Sequence, residues 1–281
     1  HTWDRYLPFE KYGKEHPEWY SLRDGVRTGG HGVGQLCLSC PGLAEVFAEK
    51  VEASVRAGEA AARALGLPKP RLYDLSMNDN SCYCECPACK ASQEKYGISG
   101  DQLVFENKVA EIVARRHPDI LFTVLAYVEG EAVPKGGVRA ADNVIVKLCN
   151  TVSDEAAALS SENNRVFRER LAEWRQYARN ILIWDYAITF GRQAEGFPFA
   201  SEFHFADKYR IYAANGVMGV FWEQEHPSTS DMPELKFRLM TKLLDDPHQD
   251  DGPIIADFMQ RFFGPAGDDI LAARRILDRA H

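Results

Sequence analysis

Apolar residues recur at helical spacing over residues 43–65, at Val46, Phe47, Val51 and Val55, and the run stops at Gly66, Pro68 and Pro70. That pattern predicts a helix with a defined end. Residues 71–77 are short, apolar and bounded by Asn78-Asp79-Asn80, which predicts a strand running into a turn. A cysteine-rich loop follows. A second helix is predicted over 102–117, with Leu103, Val104, Val109, Ile112 and Val113 on one side and Pro118 as its stop. Further strands are predicted at 120–127, 143–149, 181–184 and 217–222, and further helices at 164–179, 201–214, 234–244 and 254–263.

Strand and helix therefore mostly alternate, and the strands are near-continuous apolar runs. This is the mark of a parallel sheet covered by helices. The loop between the second and third strands is too short for an ordinary helix and breaks the alternation. An open doubly wound sheet is the competing architecture. It lacks support, because no glycine-rich phosphate loop follows a strand and His31-Gly32-Val33-Gly34 has no such context. A closed (β/α)8 TIM-type barrel needs eight strands, and five are clear. The expectation is an incomplete barrel whose first βα units precede His1, with residues 1–281 forming a single domain.

Composition narrows the function. A net charge of −8 leaves no concentration of Lys and Arg for a phosphate backbone, which argues against a nucleic-acid partner. The longest apolar stretch, residues 120–128, is too short to cross a bilayer. Seven cysteines are too few for a disulfide scaffold, but four lie within residues 82–89 and suggest a local task.

What favours the barrel is where the polar groups fall. Successive strands run into Asn78 and Asp79, Tyr127 and Glu129, Asn150, Asp185 and Tyr186, and Glu223 and Glu225. In a parallel barrel these ends share one rim, where active sites are built. Polar residues also begin wherever a strand ends. Asp185, between Trp184 and Tyr186, and Glu223, after Phe221-Trp222, resist that plainer reading, since an acid in an aromatic run needs a partner or a role.

The chain also resembles a bacterial family, domain of unknown function 4838. The likeness rests on His1-Thr2-Trp3, Leu7-Pro8, Lys11-Tyr12, His16-Pro17-Glu18, Gln35-Leu36-Cys37-Leu38 and Asn78-Asp79-Asn80. It extends through Cys84-x-Cys86-x-x-Cys89, Leu125-Ala126-Tyr127, Trp184-Asp185-Tyr186 and residues 216–221; Cys40 stands where Asn is more usual. The resemblance implies a (β/α)8 glycoside hydrolase of glycan-degrading bacteria, extracellular or periplasmic, with an oligosaccharide or polysaccharide substrate. It also implies kinship with the endo-β-N-acetylglucosaminidases of glycoside hydrolase family 163.

Glycoside hydrolysis needs an acid to protonate the leaving oxygen and a second group at the anomeric carbon, which can be the substrate's own acetamido group. Asp79 and Glu223 are the leading carboxylates, with the acid and stabiliser roles open between them, and Asp185 and Glu129 stand in reserve. Asp79 would follow the fourth barrel strand, flanked by two amides; in an Asn-Asp-Asn sequence it can equally be a turn residue. Glu223 is expected against Trp222, where partial burial suits a carboxyl to keep its proton. Tyr127, Trp184 and Trp222 are candidate sugar-stacking walls, and His1, Asn78, Asn80 and Tyr186 complete the substrate-binding set. Catalysis needs no cofactor on this reading. Cys84, Cys86 and Cys89 have the spacing of a structural zinc knuckle, with Cys82, Cys37 or Cys40 as a fourth ligand. A loop disulfide or free thiols are the alternative. Two other functions compete: a non-catalytic carbohydrate-binding or scaffold barrel, and a metal-dependent hydrolase, which lacks an HxH or HExxH spacing.

Overall fold

The computed structural model describes residues 1–187, 198–224 and 231–280. Glu225 lies outside the described residues. The chain packs as two compact units, His1–Cys149 with Glu173–Ile181, and Asn150–Ala172 with Leu182–His281.

The first unit opens with two single-turn helices, α1 (Trp3–Tyr6) and α2 (Phe9–Tyr12), and a hairpin of β1 (Ser21–Arg23) and β2 (Val26–Thr28). The hairpin turns on Asp24 and Gly25, with φ of 49° and 80°, the left-handed pair that a two-residue turn between twisted strands requires. Helix α3 (Leu43–Ala64) buries Leu43, Phe47, Val51 and Val55 along one face; of the predicted stripe Val46 is only partly buried. Its Phe47 ring meets Phe105 of α4 (Pro87–Ala114) edge to face at 5.5 Å.

Helix α4 begins well before the predicted residue 102. Pro87 stands in its first turn, where its missing N–H costs nothing, and the Cys86 sulfur caps it by accepting from Cys89 N. A break at Gly97, φ 74°, divides it, which explains why a periodicity reading finds only the second half.

Strands β3 (Leu72–Asp74), β4 (Leu121–Ala126) and β5 (Val144–Cys149) pair in that order, all parallel. The register sets Asp74 beside Thr123, and Lys147 lies on the same face two residues beyond Ile145, the partner of Thr123. Asp74 Oδ1 accepts from Thr123 Oγ1 at 2.6 Å and Ser76 Oγ at 2.7 Å, with Lys147 Nζ at 3.5 Å. Burial alone would raise this carboxyl, but Lys147 and the two hydroxyls hold it below the usual range.

Residues 183–187 of β6 (Asn180–Ala187), in the second unit, pair in parallel with β7 (Val220–Gln224), Tyr186 opposite Glu223. Helix α5 (Arg165–Trp174) precedes β6, and α6 (Phe205–Ala214) leads into β7. Helices α7 (Pro233–Asp245), α8 (Asp251–Phe263) and α9 (Gly267–Ala280) follow; no sequence signal had marked α9. Arg274 of α9 is buried and forks onto both oxygens of Glu202 at 2.7 Å, with Asp231 also in contact. The parallel α/β class is as expected, with strands in chain order within each unit.

Candidate active site

Beyond β3 the chain turns at Asn78-Asp79-Asn80, with Asn80 N on Asn78 O at 2.9 Å. This tight turn is held from a distance by Gln35. Its Nε2 donates to Asn78 O at 2.9 Å and Asn80 O at 2.7 Å, and its Oε1 accepts from Asn78 N at 3.0 Å. Asn78 is buried, with Nδ2 on Gly34 O and Oδ1 accepting from Asp4 N, each at 2.9 Å. Asn80 Nδ2 donates to His31 O at 2.8 Å. Both amides, expected to meet a sugar, are therefore engaged in fixing the loop.

Asp79 is the residue the clasp leaves open. Its side chain is 45% exposed, and Oδ1 stands 3.6 Å from His1 Nε2. Asp79 is thus a turn residue and an accessible acid at once; the two readings do not compete. His1 Nδ1 is 2.9 Å from Met77 O. A carbonyl only accepts, so Nδ1 carries the hydrogen and Nε2 is left facing the carboxylate. Such an imidazole can take a proton from the acid or pair with its anion. The His1 ring also packs on Tyr127 at 5.6 Å and His31 at 5.5 Å.

Tyr127 and Glu129 follow β4. Glu129 is exposed and accepts from Tyr83 Oη at 3.2 Å; burial first, then Glu129, pushes that phenol up. Val128 between them holds φ 50°. A β-branched residue pays on the order of 1–3 kcal/mol for that conformation, which persists only where the surroundings over-determine it.

The second unit separates its candidates by strand face. Asp185 and its register partner Trp222 turn toward α6: Trp222 meets Phe205 edge to face at 5.9 Å. Asp185 has no exposed surface. Its Oδ1 accepts from Tyr212 Oη at 3.0 Å, Asn150 Nδ2 at 3.3 Å and Lys208 Nζ at 3.3 Å, and Lys208 also pairs with buried Glu155. Burial pushes Glu155 up to about 7 against the pull of Lys208. The acid inside an aromatic run has found partners in a buried polar hub. Tyr186 is buried too, its carbonyl 3.4 Å from Lys208 Nζ.

Trp184, Phe221 and Glu223 share the other face. Trp184 Nε1 donates to Glu223 Oε2 at 2.8 Å, and its ring lies 4.4 Å from Phe221, which is half-exposed. The expected contact of Glu223 with Trp222 is corrected, because neighbours on a strand point to opposite faces. The indole that holds Glu223 comes from the adjacent strand.

Sequence reasoning missed Asp74, Lys147, Glu106, Glu155, Lys208 and Tyr212. Lys147 and Thr123 were visible as polar residues inside apolar strand runs. Lys208 and Tyr212, four apart on α6, were visible as one helix face. Glu106 is fully buried, which raises its carboxyl well above the usual range.

Among the described residues, one group has the make-up of a metal site. The sulfurs of Cys37, Cys84, Cys86 and Cys89 lie within 4.8 Å of one another, all four residues buried. Cys40 and Cys82 stand outside the group.

Among solved structures, the chain is similar to endo-glycoceramidase II from Rhodococcus sp. in complex with a five-membered iminocyclitol. The identity is 15% and the TM-score 0.45, over 70% of this chain and 44% of that one. The same enzyme with a cellobiose-like isofagomine gives 13%, a TM-score of 0.43, and coverage of 70% and 43%. The chain thus spans less than half the length of these proteins. No curated protein matches the sequence. Residues 1–277 match the model of a family described as Domain of unknown function (DUF4838), and the chain belongs to that family.

Proposed function

We propose that the chain is the glycan-cleaving part of a glycoside hydrolase, with Asp79 as a proton-transferring carboxylate. The observation that carries this is the C-terminal end of β3. A half-exposed acid stands on a turn fixed by Gln35, its oxygen faced by an imidazole of fixed tautomer. General acid–base work needs an accessible, positioned carboxyl, and parallel sheets present their chemistry at this end of the strands. Glu129, beside the strained Val128, and Glu223, held by the Trp184 indole, are the candidates for the second carboxylate. The resemblance points further, to N-acetylglucosamine-containing glycans and to action outside the cytoplasm; cleavage with retention is the chemical reading we adopt. No helix among the described residues is long and apolar enough to cross a membrane.

The half-exposed Phe221 against Trp184 favours a second reading, sugar binding without turnover, because flat apolar faces stack on pyranose rings. A catalytic metal is less well supported: the one candidate group among the described residues is four buried cysteines, a set that fills a tetrahedral ion and leaves no open position.

The test is digestion of a glycan library by the full-length protein, read by mass spectrometry, followed by Asp79→Asn, Glu129→Gln and Glu223→Gln. Loss of a participating carboxylate should lower turnover by on the order of 10² or more with the circular dichroism unchanged. Near-normal turnover by Asp79→Asn sinks the assignment. Glycan binding without cleavage by the parent protein moves the conclusion to the second reading.

A further inference from the structure

We propose that Cys37, Cys84, Cys86 and Cys89 bind one zinc ion in a closed tetrathiolate site that anchors the loop carrying Asp79. The inference is independent of the glycosidase reading. Four sulfurs on a single tetrahedral ion, each about 2.3 Å from it, stand about 3.8 Å apart. Cys37 Sγ lies 3.7 Å from Cys86 Sγ and 3.8 Å from Cys89 Sγ, and every pair falls within 4.8 Å. An iron–sulfur cluster spreads its cysteines over several irons and needs them farther apart. A disulfide would need one pair at about 2.05 Å, and all four cysteines are free.

The backbone delivers the sulfurs from two distant segments. Cys37 follows the bridge of Leu36 to Tyr20, with its own N–H on Trp19 O at 2.8 Å. The other three come from the Cys84-x-Cys86-x-x-Cys89 turn that enters α4. That turn has the hydrogen bonds of a metal knuckle: Cys89 N donates to Cys86 Sγ at 3.4 Å and Leu22 N to Cys84 Sγ at 3.3 Å. Arg27 Nη1 lies 3.9 Å from Cys84 Sγ. N–H donors and a guanidinium around sulfur are the outer partners that hold thiolates in place. Leu22 packs over the group and shields it from water.

Binding is ligand exchange without redox. Four thiols lose their protons to solvent, four Zn–S bonds form, and the site is left with two negative charges in excess, which Arg27 and the N–H donors offset. The ion would tie the segment before α3 to the loop of Cys82–Cys89, immediately after Asp79 and Asn80. It would also keep the four thiols from oxidising.

The experiment is elemental analysis and native mass spectrometry of the full chain, expressed with zinc and purified with reductant and without chelator. One zinc per chain is expected. Mercurial titration should release it as the thiols are modified, and cobalt substitution should give the intense ligand-field bands of a tetrahedral thiolate ion. Cys37→Ser should lose stoichiometric metal, whereas Cys40→Ser and Cys82→Ser should keep it. Stripping the metal should speed hydrogen exchange in residues 78–89 and leave α9 unchanged. Metal-free protein whose four thiols titrate freely, a mass deficit showing a disulfide among them, or iron in place of zinc would each overturn the proposal. The wild-type measurement decides the matter even if Cys37→Ser does not fold.

Discussion

Lys208→Met removes the one cation shared by two buried acids, and the structure sets the size of the effect. Asp185 would keep two donors, Tyr212 Oη and Asn150 Nδ2. Glu155 would keep none among the described residues, because Lys208 serves its Oε2 and its Oε1 has no partner. Breaking a buried pair by removing one member costs about 3–5 kcal/mol, since the charge left behind stays desolvated. Most of that cost should fall on Glu155. Lys208→Met is therefore expected to lose about 3–5 kcal/mol at pH 8. Lys208→Met/Glu155→Gln should regain the larger part, and Lys208→Met/Asp185→Asn much less. Lowering the pH to 5 should shrink the single-variant loss, because a proton can then neutralise Glu155. Urea unfolding followed by far-UV circular dichroism gives the free energies, and hydrogen exchange of the β6 amides reports the local effect. A loss below about 1 kcal/mol at pH 8, or equal rescue by both double variants, would refute the reasoning.

Glu155 also sets a pH dependence in the wild type. Its folded value of about 7 lies above the usual carboxyl value, so the folded state binds the proton more tightly. The associated stability is complete below the unfolded pKa of about 4.3 and is lost as pH rises toward the folded value, by at most about 1.4 kcal/mol per unit. Glu155→Gln should flatten melting temperature against pH across that window; an unchanged slope assigns the titration elsewhere. Gly34→Ala would set a Cβ 2.4 Å from Thr28 O, a backbone atom that cannot swing aside, and Gly34 O anchors both Asn78 and Asn80. It should cost about 1–3 kcal/mol and lower any turnover that depends on Asp79, while Gly32→Ala, whose Cβ meets nothing within 4 Å, should leave thermal melting unchanged.

The parallel strands were legible because β4 and β5 are buried on both faces and so read as near-continuous apolar runs. The strand ends were legible for the same reason, as the first polar residues after each run. What the pattern did not carry was direction. Asp185 and Glu223 looked alike in sequence, each next to a tryptophan, yet one faces α6 and the other the opposite side, a difference decided by pairing register. The first half of α4 went unread because its cap is a cysteine sulfur and Gly97 breaks the period. The hairpin of β1 and β2 went unread, because its strands are only three residues each, too short for an alternation to show. Cys37 was one of three candidates for fourth member of the sulfur group, and the choice over Cys82 and Cys40 had to await the fold, since 47 positions separate it from Cys84.

The clasp of Gln35 grips the Asn78 and Asn80 loop chiefly by main-chain atoms, and every protein chain has those whatever its side chains are. Position 79 is therefore held in space without its identity being specified. A lineage can exchange the residue there, acid for amide or for something larger, and the replacement arrives at the same coordinates. Whatever chemistry position 79 carries can therefore change through this one codon with the scaffold undisturbed.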